Sequence, residues 1–90
     1  MNRSQILDEA KRLISGDREA THGTPEENFR KLALVWTGIL GHPVKHTDVP
    51  LMLAGLKIVR ATGGETNSDD YVDIAGYAAL AGEVALGQSS

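Results

Sequence analysis

Four charged residues in the second half of this chain have the types and the spacing to do chemistry. Lys57 and Arg60 lie three residues apart within the apolar stretch LMLAGLKIVRA, and Asp70 and Asp73 have the same spacing within DDYVDIAGYAAL. Residues three apart share one face of an α-helix, so each helix would present two like charges on one side. Removing charge from water is costly unless the charge is paired or bound to a ligand. We therefore interpret this charged quartet as a set of ion pairs or as a binding site.

The short link TGGETNS between the two stretches predicts how the four charges meet. Helices that are joined by so short a link lie antiparallel. Arg60 and Asp70 are then the members nearest to the link, and Lys57 and Asp73 lie one turn further from it. The sequence therefore predicts the ion pairs Arg60–Asp70 and Lys57–Asp73 at matching heights of a helical hairpin.

Two interpretations of the quartet remain open at this point. As a structural ion-pair lock, it would fix the register of two apolar helices. Replacing both Lys57 and Asp73 by apolar residues would then be tolerated, whereas either single replacement would unfold the chain. If the quartet is instead a ligand site, its cations would contact anionic oxygens, and Asp70 and Asp73 would hold a base or a metal ion. Mg²⁺ would fit, because it is typically bound by one or two carboxylates plus phosphates. Tyr77, one turn after Asp73, would stack on the ligand or hydrogen-bond to it.

The first element that could position this quartet is an amphipathic helix at the amino end. Residues 4–15 carry apolar side chains at i, i+3/4 and i+7 spacing, with Ser4 as the expected N-cap. Gly16 is the expected terminator. This helix is predicted to pack one face on the core.

A second helix begins at a clear start signal. Thr24 is the N-cap, Pro25 occupies the first helical position, and Glu27 completes a capping box. The helix is predicted to run to about Leu40 and to end at Gly41. Its apolar stripe is predicted to face the core and comprises Phe29, Leu32, Ala33, Trp36, Ile39 and Leu40.

The third and fourth helices carry the quartet. The third begins at Thr47 or Asp48 and is apolar on nearly every side, which predicts a central position. The fourth is capped by Ser68 or Asn67 and is rich in alanine and glycine. These observations predict an all-α, four-helix bundle in which the third and fourth helices form a central apolar antiparallel hairpin.

A chain of ninety residues is too short to bury two helices on all their sides. Gly76 and Gly82 in the fourth helix would allow close approach of another backbone. We therefore predict a homo-oligomer, a dimer or a tetramer, with the third and fourth helices contributing to the contact between subunits.

The loop before the second helix holds a second group of candidates. Glu26 and Glu27 are mainly helix-capping and dipole-stabilising residues, and they would repel a bare phosphate but accept one that is bridged by a cation. His22 is a loop residue and a further candidate for ligand binding. The histidines are too scattered to predict a zinc site.

Composition restricts the class of protein. Ninety residues make one domain, predicted to span residues 1–87, with residues 88–90 as a flexible carboxyl-terminal tail. The net charge of −3 argues against nucleic-acid binding, which needs a basic footprint. The sequence contains no cysteine, no apolar stretch long enough to span a bilayer and no secretory signal. We therefore expect a protein of the cytoplasm.

Two resemblances add to this interpretation. The segments HGTPEENFRKLALVW, DVPLMLAGLKIVRA and DDYVDIAGYAAL, in this order, resemble a group of small all-α phage and prophage proteins to which no biochemical function is assigned. This resemblance covers the chain from about Arg18 to Leu80 and implies that the cytoplasm is that of a bacterial host.

A more distant resemblance is to the MazG-like all-α nucleoside triphosphate pyrophosphohydrolases, and it implies a MazG-like four-helix bundle with a dimeric or tetrameric core. Asp70-x-x-Asp73 followed by Tyr77 is similar to one part of their signature, whereas Lys57-x-x-Arg60 stands where those enzymes have a Mg²⁺-binding E-x-x-E motif. This departure replaces a metal-mediated phosphate site by a directly cationic one. The resemblance implies Mg²⁺ only for a hydrolase, whose metal ligands would be Glu26, Glu27, Asp70 and Asp73.

Three functions follow from these observations. The first is a phage-type protein that binds or sequesters a nucleotide or a nucleotide-derived defence signal, without catalysis and without a cofactor. Its ligand-binding residues would be Lys57, Arg60, Asp70, Asp73, Tyr77 and His22. The second is a MazG-like, Mg²⁺-dependent pyrophosphohydrolase of nucleoside triphosphates. The third is a structural or protein-interaction module in which the quartet is only an ion-pair lock.

Overall fold

A computed structural model describes residues 1–15 and 23–87 of the chain. Within these residues the protein is all-helical, with four α-helices and no strand, as the sequence predicts. The helices are α1 (Arg3–Ile14), α2 (Pro25–Leu40), α3 (Val49–Thr62) and α4 (Ser68–Ala85), and a 3-10 turn, His46–Asp48, leads directly into α3. The predicted terminator Gly16 and the predicted tail 88–90 lie outside the described residues. None of the described helices is long and apolar enough to cross a membrane.

Capping groups explain where most of these helices begin. Thr24 caps α2 as predicted, because its hydroxyl accepts a hydrogen bond from the Glu27 amide at 3.2 Å. In α4 the Asn67 side chain is the cap and accepts from the Asp69 amide at 3.0 Å. The prediction of Ser4 for α1 is wrong: Asn2 is the cap, and its side chain and that of Gln5 exchange hydrogen bonds with each other's backbone. This reciprocal pair satisfies two backbone N–H groups, which Ser4 could not do two residues later.

The end of α2 is fixed by a glycine. Gly41 adopts a left-handed conformation with φ of 71°, and its N–H donates to the Thr37 carbonyl. Residues with a side chain rarely adopt this conformation, so the glycine ends the helix where the sequence predicts. The Thr37 hydroxyl then accepts from the Val44 amide at 2.9 Å, which turns the chain back toward the start of α3.

The packing of the helices is centred on α4. Helix α4 makes its most extensive contacts with α3 and packs on α1 along another side. The two helices are close together at Gly76, where a β-carbon would lie 3.2 Å from Ile14 Cγ2. The neighbour of Gly76 is thus a side chain and not the predicted second backbone, and Gly82 has no described atom within 4 Å of its virtual β-carbon.

The hydrophobic core is small. Phe29, Ala33 and Val49 are buried at its centre, which joins α2 to the start of α3. Partly buried side chains from the surrounding elements complete it: Leu32, Trp36, Val44, Leu53, Leu80 and Val84. The predicted stripe of α2 is correct for its first four members, but Ile39 and Leu40 are exposed because the chain turns away at Gly41.

Helix α3 is not enclosed by its own chain, as expected for two apolar helices that ninety residues cannot cover, and its central position in an oligomer stays a prediction. Only Val49, Pro50 and Ala54 are buried in α3. The opposite side, which we call the outer face of α3, carries apolar side chains that are about half exposed or more: Leu51, Met52, Leu56, Ile58 and Val59. The apolar residues of α3 therefore belong to two faces of the helix, one that packs on α4 and one that is open.

Candidate functional site

The charged quartet lies on the contact between α3 and α4. Both predicted ion pairs are confirmed: Lys57 contacts Asp73, and Arg60 contacts Asp70. The pairing of a later residue in α3 with an earlier residue in α4 is the pattern of antiparallel helices, so the predicted hairpin orientation is confirmed as well. The quartet has no net charge, because each cation faces one carboxylate.

The Lys57–Asp73 pair is the tighter of the two. The lysine Nζ lies 2.9 Å from Asp73 Oδ2, and the two side chains are 18% and 32% exposed. At this distance and burial the attraction is screened less than at an open surface. The ion pair stabilises this orientation of Asp73, a residue that also lines the groove described below.

The Arg60–Asp70 pair has a different character. The arginine Nε lies 3.5 Å from Asp70 Oδ1, and the side chains are 56% and 7% exposed. Asp70 is thus a buried carboxylate in the first turn of α4, where the helix dipole favours negative charge. The exposed guanidinium has further N–H donors, and these are available to an anion from solvent.

A groove opens beside Asp73. It has a volume of about 430 Å³ and is bordered by all four helices. Its walls are mostly apolar and include Leu13, Phe29, Leu53, Val72 and Leu80. Asp73 and Tyr77 line it one helical turn apart, so the predicted proximity of these two residues is confirmed. The sequence did not reveal the groove itself, because its walls come from four separate segments.

The glutamates at the start of α2 lie in other surroundings. Glu26 Oε1 is 3.2 Å from Arg30 Nη2 and 3.4 Å from His46 Nε2. Glu27 Oε2 would lie 2.8 Å from a β-carbon at Gly23, so this carboxylate folds back over the start of its helix. The contact between Glu26 and His46 was not predicted, since it joins α2 to the turn before α3.

The metal set of the hydrolase alternative is not assembled in the described residues. In the two described segments, residues 1–15 and 23–87, no three histidine, aspartate or glutamate side chains lie close enough together to hold a metal ion. Glu26 and Glu27 therefore do not form one group with Asp70 and Asp73. The predicted ligand-binding residue His22 lies outside the described residues.

An exposed ion pair on α1, away from the quartet, shifts the pKa values of both its members. The Arg12 guanidinium hydrogen-bonds to the Glu9 carboxylate on α1, with Nε 3.1 Å from Oε2. This hydrogen bond lowers the pKa of Glu9, and the same contact raises the pKa of Arg12. Both side chains are on the surface, so the pair belongs to α1 and not to the site.

Comparison with known proteins shows the family of the chain. It is similar to the "Gene 55 protein" of Mycobacterium phage D29, with 41% identity over 73 residues that make up 81% of this chain and 48% of that protein. The "Gene 55 protein" of Mycobacterium phage L5 is 38% identical over 77 residues, or 83% of this chain and 49% of the relative. The chain thus spans about half the length of these phage relatives. No solved structure matches it, and the MazG-like arrangement stays a prediction. The profile of the family described as "Domain of unknown function (DUF6378)" matches residues 5–85, so this chain belongs to that family.

Proposed function

We propose that this chain binds a nucleotide or a nucleotide-derived signalling molecule, without hydrolysing it, at the charged quartet and the adjoining groove. The observation that carries the proposal is the position of Asp73. This residue both pairs with Lys57 and lines the mostly apolar groove. A nucleotide has the matching composition, because a flat apolar ring system is joined to anionic phosphate groups. Sites for such ligands are concave, mostly apolar and supplied with a few fixed polar groups.

The cations of α3 are the proposed phosphate-binding groups. Arg60 is more than half exposed and contacts Asp70 through Nε at 3.5 Å. A phosphate can therefore approach its terminal N–H donors without displacing the buried carboxylate. Lys57 supplies a second positive charge one turn away on the same face of α3. Binding of this kind needs no metal ion.

We further propose that the working protein is a homo-oligomer with a MazG-like arrangement of helices. The outer face of α3 is apolar, and from the exposed fractions of its five large side chains it presents on the order of 500 Å², which is near the upper end for a patch on a monomer. A stable interface buries about 800 Å² on each partner. A second copy that covers this face and part of α4 would supply that area and place two sites in one assembly.

The setting suggested by the relatives is a phage infection. Both are phage proteins, which agrees with a role in the cytoplasm of a bacterial host. In that setting, a protein that binds a nucleotide without turning it over would sequester a host defence signal or withdraw a nucleotide from its pool. The proposed benefit to the phage is removal of the free ligand by mass action.

A thermal-shift screen with mono-, di-, tri- and cyclic nucleotides tests the proposal. A ligand at one hundred times its Kd stabilises the folded protein by about 2.7 kcal/mol, which is readily measured as a rise in Tm. Arg60→Met should weaken that rise, whereas Lys31→Met should preserve it, because Lys31 is an exposed cation of α2 outside the site.

Two results would contradict the proposal. If no nucleotide of the panel raises the Tm, the quartet is a structural ion-pair lock. If the protein releases pyrophosphate from a nucleoside triphosphate in the presence of Mg²⁺, and Asp73→Asn abolishes the release, the protein is a hydrolase and not a sequestering protein.

A further inference from the structure

The geometry points to a specific part of the ligand: we propose that the groove beside Asp73 takes a guanine ring, and that Asp73 selects it. This inference rests on the proposed function, since it names the base of the nucleotide that the quartet binds. It concerns a different surface from the phosphate-binding cations, namely the walls of the groove between α1, α2, α3 and α4.

The shape and lining of the groove fit a planar ring. Its volume of about 430 Å³ lies within the range of pockets that hold small organic ligands. Leu13, Leu53 and Leu80 line it from three different helices, so a flat ring in the groove would be surrounded mainly by apolar side chains. Tyr77 lines the groove one helical turn after Asp73, and its aromatic ring is the group proposed to stack on the base.

The polar group at the wall selects among the bases. An ionised carboxylate is only an acceptor of hydrogen bonds, and it binds best to two adjacent N–H donors. Guanine presents such an edge, with its ring N1–H beside its exocyclic amino group. Adenine and cytosine each place a ring acceptor next to their amino group, and that acceptor would face the carboxylate unfavourably. Uracil offers a single N–H between two carbonyl groups.

Lys57 prepares Asp73 for this role. Its ammonium group lies 2.9 Å from Oδ2, which leaves Oδ1 and the remaining lone pair of Oδ2 to accept from the base. The lysine also keeps the carboxylate from turning away from the wall. The ribose and phosphates leave a guanine ring at N9, away from the edge that faces Asp73, so in this complex Lys57 orients the carboxylate and the more exposed Arg60 is the cation left for a phosphate.

Titrations of the full chain with GTP, ATP, CTP and UTP test this inference. GTP should bind the wild-type protein at least about tenfold more tightly than the other three, as expected for one charge-assisted hydrogen bond more. In Asp73→Asn this preference should fall to within about twofold, because an amide offers one acceptor and one donor to the same edge. Asp69→Asn is the matched control, since Asp69 is an exposed acid one turn earlier in the same helix, and it should keep the preference.

A second measurement on the wild-type protein keeps the test decisive if Asp73→Asn does not fold. In methyl NMR spectra, GTP should shift the signals of Leu53 and Leu80 in the groove and leave those of the exposed Leu34 and Val59 unchanged. Inorganic triphosphate, which has no ring, should shift neither set of methyl signals.

The failures of the two proposals are distinguishable. Equal affinity for the four nucleotides, or an unchanged GTP preference in Asp73→Asn, would overturn the guanine assignment and leave nucleotide binding standing. GTP-induced shifts at Leu34 and Val59 in place of Leu53 and Leu80 would do the same. If none of the four nucleotides binds, both the assignment and the proposed function are wrong.

Discussion

The strength of the Lys57–Asp73 ion pair can be predicted from its geometry and measured by a double-mutant cycle. The perturbation consists of Lys57→Met, Asp73→Leu and the double variant, each compared with the wild type. At 2.9 Å and an effective dielectric constant of about 20, the direct attraction is about 6 kcal/mol before the cost of desolvating the two groups is subtracted. Removing one partner of a fully buried pair costs about 3–5 kcal/mol, and an exposed pair contributes at most about 1 kcal/mol.

The burial of this pair lies between those limits. Lys57 is 18% exposed and Asp73 is 32% exposed, so we expect a coupling energy of about 1–3 kcal/mol. Each single variant should lose stability, because it leaves the other charge half-buried and unpaired. The double variant should be close to the wild type, since two apolar side chains at a helix contact replace two desolvated charges. The Arg60–Asp70 pair, with 56% of the arginine exposed, should give a coupling below about 1 kcal/mol.

Urea unfolding at one fixed protein concentration is the assay, because self-association would otherwise change the apparent stability. The chain has one tryptophan, Trp36, which is half-buried at the edge of the core and reports on unfolding by fluorescence. A coupling energy for Lys57–Asp73 that does not exceed that of Arg60–Asp70 would refute the reasoning. A stable double variant has a second use, because loss of nucleotide binding in it would separate the ligand-binding role of the pair from its structural role.

Further predictions concern packing, assembly and pH. Gly76→Ala should destabilise the protein by about 1 kcal/mol, because the added methyl group meets the α1 side chain 3.2 Å away. Gly82→Ala should be neutral or stabilising by up to about 1 kcal/mol through helix propensity. Thermal unfolding of both variants measures the two effects, and equal effects would contradict the prediction. Val59→Glu should dissociate the proposed oligomer, whereas Leu7→Glu should not, because Leu7 is a similarly exposed residue of α1. Light scattering on a size-exclusion column measures the mass of each variant, and a monomeric wild type would contradict the prediction. Because the pKa of Glu9 is lowered, its ion pair stabilises the fold above the ordinary glutamate pKa, and this stabilisation is lost as the pH falls through the folded-state pKa. The stability of Glu9→Gln should therefore differ slightly from that of the wild type near neutral pH at low salt, and not at acidic pH. A difference in stability that persists at acidic pH would argue against the ion pair as its cause.

Much of the local structure is encoded within a few residues of where it occurs. Thr24 and Pro25 mark the start of α2, and Gly41 ends it, because capping and left-handed backbone conformation depend on the residue itself and its near neighbours. The error at α1 has the same origin. Asn2 and Ser4 are both good caps by type, and only the reciprocal hydrogen bonds with Gln5 distinguish them.

The pairing in the quartet was predictable although it joins two helices. Only the five-residue connection 63–67 separates α3 from α4, so the antiparallel arrangement and the helical repeat together fix which charges lie at the same height. Lys57 therefore meets Asp73, and Arg60 meets Asp70.

Features that depend on distant segments were decided only by the tertiary structure. The groove beside Asp73 needs walls from four helices, and the contact of Glu26 with His46 joins α2 to the turn before α3. The apolar pattern of α3 did not reveal that the side away from Lys57 and Arg60 stays open within one chain, because both sides carry similar apolar residues. Periodicity and capping are properties of a short segment, whereas the choice of which faces meet depends on the packing of the whole chain.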